Sequence, residues 1–136
     1  MSRKHLDISN NAHLRWGYCL QRFPAKSINM SKSGLTHFEN IKSISLLELN
    51  ASHTGISKFD ALDLQNLRSL NISNTRIRDL TALSSSPIQE LDISFCKVYG
   101  IHPLVSMRFL RLLRVHEGQF NKSQLSQLSK EVIVEF

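Results

Sequence analysis

The sequence has few cysteines and few glycines, the residues that build zinc–thiolate sites and phosphate-binding loops. Its 136 residues include two cysteines, Cys19 and Cys96, which lack the paired spacing of a zinc site. Its five glycines are isolated from one another, so no glycine-rich loop of the kind that cradles phosphate is present. We therefore predict no metal site and no cofactor.

Long apolar runs are also absent. No apolar stretch approaches the length needed to cross a bilayer, and the basic start MSRKHLDISNNAH has no apolar segment behind it. We therefore expect no membrane insertion and no secretory signal in this chain. A mature or excised fragment would look the same, so these absences favour the cytoplasm without fixing the compartment.

What the sequence does contain is an internal repeat. Five similar segments follow one another at steps of 21, 21, 21 and 22 residues. In chain order they are INMSKSGLTHFENI (28–41), LNASHTGISKFDAL (49–62), LNISNTRIRDLTAL (70–83), LDISFCKVYGIHPL (91–104) and LRVHEGQFNKSQL (113–125). Their apolar residues align in three columns: Ile28, Leu49, Leu70, Leu91 and Leu113; Met30, Ala51, Ile72, Ile93 and Val115; Leu35, Ile56, Ile77, Val98 and Phe120.

The spacing within one segment predicts a strand, a turn and a helical return. Leu70 and Ile72 flank Asn71 with the period of a strand, so we expect both to point inward while Asn71 points outward. The apolar residues of Ile77–Leu83 are three positions apart, which suits a helical turn or a 3-10 segment. Because one segment cannot bury its few apolar side chains alone, neighbouring segments must stack. The sequence therefore predicts an α/β solenoid with a curved parallel sheet on its concave face and short helical, 3-10 or irregular segments on its convex side.

A column of small residues follows each strand. It holds Ser33, Thr54, Thr75, Cys96 and Gly118. We expect buried hydroxyls here that bond to main-chain groups at the turn. Cys96 fits the same column as a small buried residue, in preference to a reactive thiol. Gly118 interrupts the hydroxyls, which predicts a looser or differently capped last turn.

The pattern resembles the leucine-rich repeat, in its short form of about 21 to 23 residues. NTRIRDLTAL, followed by SSSPIQELDIS, is similar to internalin-like bacterial repeats of the form N/T-x-I-x-D-L-x-P-L. The resemblance spans about residues 25–125 and implies a right-handed superhelix that serves as a protein-binding scaffold. Two features depart from it: Ser, Thr or Cys stands where asparagine usually follows the strand, and the proline before the final leucine remains only as Pro103.

One domain is expected to span residues 1–136, because this length fits a single core. Residues 25–125 would hold the five repeats, and residues 1–24 would form an N-terminal cap or degenerate repeat. Residues 126–136 would form a C-terminal cap strand.

Both ends of the array need apolar residues to shield the core. At the N-terminus, LDIS (6–9) mimics the strand of a repeat. The following aromatic residues are assigned to the cap in preference to an aromatic ligand site: Trp16, Tyr18 and Phe23. At the C-terminus, Leu125 and Leu128 are expected to cover the last coil, and Val132–Val134 to add a strand.

The net charge of +6 is concentrated at the chain ends. Residues 1–26 hold five basic residues against one acidic, residues 27–104 hold seven of each, and the tail holds five against three. A nucleic-acid groove would repeat basic residues in one exposed column, which the sequence does not show. A nucleic-acid-associated module that uses the basic termini is therefore the alternative function, and not the preferred one.

The outward strand positions define the candidate binding surface. In chain order, three adjacent columns are Asn29, Asn50, Asn71, Asp92 and Arg114; Ser31, Ser52, Ser73, Ser94 and His116; Lys32, His53, Asn74, Phe95 and Glu117. Common ancestry of the repeats also explains the Asn and Ser columns, but identical units cannot distinguish partners, so specificity should reside where the columns vary. We predict a non-catalytic protein-interaction module, whose partner-binding residues are Asn50, Asn71, Asn74, Asp92, Phe95, Arg114 and His116. The sequence identifies neither the partner nor the oligomeric state.

Catalytic patterns are not found. Six histidines are scattered along the chain without metal-binding helical spacing, and no G-x-S-x-G elbow is present. Ser94, His116 and Asp92 stand in neighbouring columns and invite comparison with a catalytic triad. Dense repeated columns produce such coincidences readily, so we predict that the chain is not an enzyme.

Overall fold

The computed structural model describes residues 5–14, 25–38, 46–59 and 62–136. Seven short strands in these ranges form one sheet in chain order: β1 His5–Asp7, β2 Ser27–Asn29, β3 Glu48–Asn50, β4 Ser69–Asn71, β5 Glu90–Asp92, β6 Leu112–Arg114 and β7 Ile133–Glu135. The helical segments are a 3-10 turn at Thr81–Leu83, α1 at His102–Val105 and α2 at Lys122–Leu125. Every strand pair is parallel. The predicted solenoid, with short helical returns, is confirmed.

The strands pair in the register that the repeat predicts. Leu49 lies opposite Leu70, and Leu70 opposite Leu91. Each of these leucines is at most 3% exposed. Ile72 is fully buried whereas Asn71 is half-buried, so the predicted inward and outward positions are also confirmed.

The two ends of the sheet continue the same register. Leu6 of β1 lies opposite Ile28, and Val134 of β7 lies opposite Leu113. Leu128 is buried beneath the last coil, and Leu125 packs half-buried against the core. A strand is thus present at each end: β1 overlaps the predicted LDIS (6–9), and β7 begins one residue after the predicted Val132–Val134. Trp16, Tyr18 and Phe23 lie outside the described residues.

The small-residue column satisfies the main chain at each turn. The Thr54 hydroxyl donates to the carbonyl of Ala51, and the Thr75 hydroxyl donates to that of Ile72, each at 2.8 Å. The thiol of Cys96 donates to the same Ile72 carbonyl at 2.9 Å and is only 2% exposed. Cys96 therefore acts as the small buried residue that the column predicts.

Gln119 closes the last coil, where the column has no hydroxyl. Gly118 adopts a left-handed φ of 85°, and the following Gln119 side chain reaches back into the fold. Its Nε2 donates at 2.8 Å to the carbonyls of both Ile93 and Cys96, and its Oε1 accepts from the His116 N–H at 3.1 Å. The expectation of a differently capped last turn is confirmed, and one amide replaces the missing hydroxyl.

No helix in the four described ranges is long and apolar enough to span a membrane. The helical segments are single turns that lie between successive strands. They pack leucine side chains such as Leu83 and Leu104 into the core.

Replacing Ile72 by Asp should destroy the fold, because it buries a carboxylate without a partner between two coils. We expect a loss of at least about 4 kcal/mol in the free energy of unfolding. Asn71→Asp, one residue away, keeps the oxygen that Ser73 needs. It should shift the melting temperature by less than about 3 °C. Far-UV circular dichroism during heating measures both effects, and equal damage from the two changes would contradict the register.

Gln119→Glu tests the closing amide. It turns a donor into an acceptor that faces two carbonyl oxygens, so we expect a loss of about 2 kcal/mol or more. Gln124→Glu is the matched control, because Gln124 uses only its side-chain Oε1, which accepts from the Asn121 N–H in a capping box. Glutamate serves that role equally well, so Gln124→Glu should change stability by less than about 0.5 kcal/mol. Chemical denaturation measures the free energy of unfolding of both variants. A similar loss of stability in the two would refute the role given to Gln119.

Candidate functional site

A row of Asp and Asn side chains runs along the outward side of the sheet, which is the concave face of such a solenoid. They are the last residues of the first five strands: Asp7, Asn29, Asn50, Asn71 and Asp92. One side-chain oxygen of each accepts from the N–H and the hydroxyl of the serine two residues later. The two distances are 3.0 and 2.8 Å for Asn71 with Ser73, and 3.0 and 2.7 Å for Asp92 with Ser94. These bonds turn the chain out of each strand.

Only part of the serine column reaches the surface, contrary to the outward column that the sequence predicts: Ser31 and Ser94 are half-buried, whereas Ser52 and Ser73 are buried. Ser52 and Ser73 are only 6% and 7% exposed. Their hydroxyls fold back onto the Asn oxygen at the point where the chain turns, so these small side chains are covered. The free hydrogen-bonding groups of this region are the Nδ2 amides of Asn50 and Asn71, which donate to no residue that the structure describes.

A column of left-handed residues follows the serines. Its φ values lie between 55° and 61° at Asn10, Lys32, His53, Asn74 and Phe95. Asparagine tolerates this conformation, but it strains larger side chains. Hydrogen bonds between coils hold it in place: the N–H of His53 donates to the Ser73 carbonyl at 3.0 Å, and that of Asn74 to the Ser94 carbonyl at 2.9 Å.

The last member of this column differs from the sequence prediction. The sequence aligns Glu117 with Phe95, but Gly118 takes the left-handed conformation in the last coil. Gly118 is five residues after Leu113, whereas Phe95 is four residues after Leu91, so the last turn has one extra residue. Glycine adopts positive φ without strain. Glu117 is exposed and does not continue the column.

Phe95 is an exposed apolar residue at the turn that follows β5. Its ring is 62% exposed and stacks on His116, with ring centroids 4.7 Å apart and planes 6° from parallel. Its N–H donates to His116 Nδ1 at 2.9 Å, so a histidine side chain replaces the serine carbonyl used in earlier coils. This bond fixes the proton of a neutral His116 on Nε2. The two residues therefore form one rigid aromatic pair.

Charged groups border this pair. Arg114 lies opposite Asp92 in the sheet register, and its guanidinium forms an ion pair with Glu135 at 3.0 Å. Both partners of that pair are about half exposed, at 49% and 51%, so water screens the attraction. The Asp92 carboxylate accepts a hydrogen bond from the Ser94 hydroxyl.

The predicted site residues thus share one face, but they do not all touch. Phe95 and His116 are in contact, and Asn74 Nδ2 lies 3.5 Å from His53 Nε2. Asn50 and Asn71 lie side by side in the sheet. Sequence reasoning missed Glu135 as the partner of Arg114, although the two residues are 21 positions apart and continue the repeat spacing.

The possible triad of Ser94, His116 and Asp92 does not have catalytic geometry. The Ser94 hydroxyl donates to Asp92 at 2.7 Å, and His116 Nδ1 accepts from the Phe95 N–H. A nucleophile must instead donate to the histidine that activates it. Among the described ranges, no group of three or more His, Cys, Asp or Glu side chains is arranged to hold a metal ion.

The alternative function depends on basic N-terminal residues that lie outside the described ranges, namely Arg3, Lys4, Arg15 and Arg22. The basic residues of the C-terminal tail are partly neutralised. Arg111 pairs with Glu131 at 3.1 Å, and Arg114 pairs with Glu135. No feature of the described tail favours nucleic-acid binding.

Comparison with known proteins agrees with this architecture. The family model for leucine-rich repeats (two copies) matches residues 44–85. Among solved structures, the chain is similar to internalin C2 from Listeria monocytogenes, with 25% sequence identity and a TM-score of 0.64. The similarity covers 82% of this chain and 51% of that one, so this chain spans about half the length of internalin C2. No curated protein sequence matches the chain. The chain therefore contains leucine-rich repeats, matched by the family model over residues 44–85, and its fold is similar to that of internalin C2.

Proposed function

We propose that the chain is a non-catalytic protein-interaction module that docks a protein partner on its concave face, around Phe95 and His116. Leucine-rich repeats are in general interaction scaffolds, and solenoids of this kind bind through an extended concave surface. The observation that supports this surface most directly is the exposed Phe95 ring, stacked on His116 in the middle of polar columns.

Phe95 has the properties of an anchor residue. Its backbone is held by the His116 side chain and its ring is held by stacking, so little freedom remains to be lost when a partner binds. Aromatic and arginine residues carry a large share of binding energy in protein interfaces. Holding a phenylalanine in a strained left-handed conformation also places its ring in water, where it contributes little to the interior.

The polar residues around the pair would orient the partner. Asn50 and Asn71 offer unused Nδ2 donors, and Asn74 adds an exposed amide further along. Arg114 can exchange its half-exposed bond to Glu135 for a carboxylate of the partner.

The interaction module is proposed to span the whole chain, 1–136, as one domain. Residues 25–125 supply the repeats, residues 1–24 the N-terminal cap and residues 126–136 the closing strand. The pairing of β1 and β7 with their neighbours supports a single sheet that runs through both caps.

Changing Phe95→Ala and Arg114→Ala together should abolish partner capture. The matched control is Phe109→Ala with Arg108→Ala, which removes the same residue types from an exposed loop outside the sheet. Immobilised wild type and both double variants, incubated with the same cell extract, give the comparison by quantitative mass spectrometry. A protein retained by wild type and the control but lost from the Phe95/Arg114 variant supports the proposal. If every retained protein binds the Phe95/Arg114 variant equally well, this surface is not the binding site.

Phe95→Asn tests whether Phe95 is needed for the stability of the fold. Asparagine relieves left-handed strain of about 1 kcal/mol, and loss of the stack costs about 0.5 to 1.5 kcal/mol. The two effects nearly cancel, so the melting temperature should stay within about 3 °C of wild type. Calorimetry measures it. A fall of more than about 10 °C would show that Phe95 is needed for the fold and undermine its role as a surface anchor.

A further inference from the structure

Basic residues gather on the flank of the solenoid where the chain leaves the strands. Two neighbouring clefts, of about 680 and about 490 Å³, open there and share Arg76 and Arg78 in their walls. Lys58 and Tyr99 line the first cleft, and Lys97 lines the second. We call these five residues the basic flank.

The repeat register forces these side chains outward together. Arg76 and Arg78 stand on either side of Ile77, which is fully buried, so both guanidinium groups must leave the core on the same side. The N–H of Arg76 donates to the Ile56 carbonyl, and the N–H of Tyr99 donates to the Arg78 carbonyl, each at 2.9 Å. Backbone bonds between three successive coils therefore fix the spacing of the flank.

The charges of the flank are not neutralised by the fold. None of its four basic residues forms an ion pair with a carboxylate of the described ranges, in contrast to Arg111 and Arg114. The one acidic residue in the walls, Asp79, accepts from the Thr81 hydroxyl and N–H at 2.5 and 2.9 Å. These bonds lower the pKa of Asp79, the hydroxyl more than the N–H, so the carboxylate stays ionised. Because it accepts both bonds from Thr81, the carboxylate is held at its own turn, and it forms no ion pair with the described basic residues of the flank. Four positive charges against one negative charge remain to attract an anion.

The apolar residues in the clefts favour a ligand that has an apolar group beside its negative charges. Phe59 and Ala82 line the first cleft, and the Tyr99 ring stands at its edge with 78% of its surface exposed. Guanidinium groups bind carboxylates through paired hydrogen bonds. Four cations in two short clefts can contact at most about four phosphates, fewer than the roughly six to ten contacts that make binding to nucleic acid strong and steeply salt-dependent.

We propose that the basic flank is a second binding site, which takes an acidic peptide segment of a protein partner. Carboxylates of the segment bind Arg76, Arg78 and Lys97, and an apolar side chain between them packs against Phe59 and Tyr99. The site adjoins the concave face, since Phe95 lines the second cleft, but its binding groups are different residues and it does not depend on the function proposed for that face.

The test is fluorescence anisotropy with a labelled peptide in which Glu alternates with Leu and Tyr, at about 0.15 M salt. We expect Arg76→Gln, Arg78→Gln and Lys97→Gln together to weaken binding by about tenfold or more. The matched control is Arg108→Gln, Lys122→Gln and Lys130→Gln, which removes the same charge from exposed sites elsewhere. It should bind like wild type. All six side chains are exposed and make no side-chain hydrogen bond to the described residues, so both variants should fold.

Four outcomes would overturn the proposal. The first is an equal loss of peptide affinity in the two triple variants, and the second is undiminished binding of a peptide with Gln in place of Glu. The third is tighter binding of single-stranded DNA than of the peptide, and the fourth is no binding of the peptide to the wild type.

Arg114→Ala separates the two surfaces. Unchanged peptide affinity in that variant supports a distinct site, whereas a loss confined to it would move the peptide onto the concave face. Loss of peptide binding in the flank variant, with partner capture on the concave face retained, would show that the two sites work independently.

Discussion

The contact between one coil and the next is the constraint on which the rest of the structure depends. Leucine or isoleucine at the strand centre of each repeat rests on its counterpart in the neighbouring coil, and these residues are at most 3% exposed: Ile28, Leu49, Leu70, Leu91 and Leu113. A slip of one residue would send this whole set to the solvent side. The register therefore fixes which residues face outward as firmly as which face inward. Both proposed binding surfaces are consequences of it.

Hydrogen bonds at the turn after each strand keep successive coils in this register. The Asn or Asp at the end of each strand accepts a hydrogen bond from the serine two residues later. A hydroxyl or thiol then donates to a main-chain carbonyl of the turn. A residue with left-handed φ changes the direction of the backbone. Because bonds between coils hold the left-handed position, it accepts Lys32, His53 and Phe95 despite their strain. The interior can thus stay constant while this outward position changes, and recognition can evolve there without a cost to the core.

Most of the fold could be predicted from the sequence, since alternation in Leu70–Ile72 and the 21-residue step are direct signatures of strands and stacking. The columns likewise predict the position of the seven proposed partner-binding residues on one side of the repeat. The contacts among them depend on side-chain rotamers and turn geometry, which no pattern encodes. The burial of Ser73, the stack of Phe95 on His116 and the reach of Gln119 to two carbonyls all belong to this class. The basic flank is harder to predict, because its basic residues are divided among three columns, that of Arg76 and Lys97, that of Arg78 and that of Lys58, and their shared clefts form only when the coils stack.

Residue-resolved hydrogen exchange tests the stacking most directly. The N–H groups of Ala51, Ile72 and Ile93 donate across coils to the carbonyls of Asn71, Asp92 and Arg114, at 2.8, 3.0 and 3.0 Å. They should exchange slowly, whereas the N–H of Lys58, which donates to no described residue, should exchange fast. Protection that recurs every 21 residues at these positions is the predicted result. Protection confined to continuous helical stretches, or exchange at Ile72 as fast as at Lys58, would contradict the stacked parallel coils.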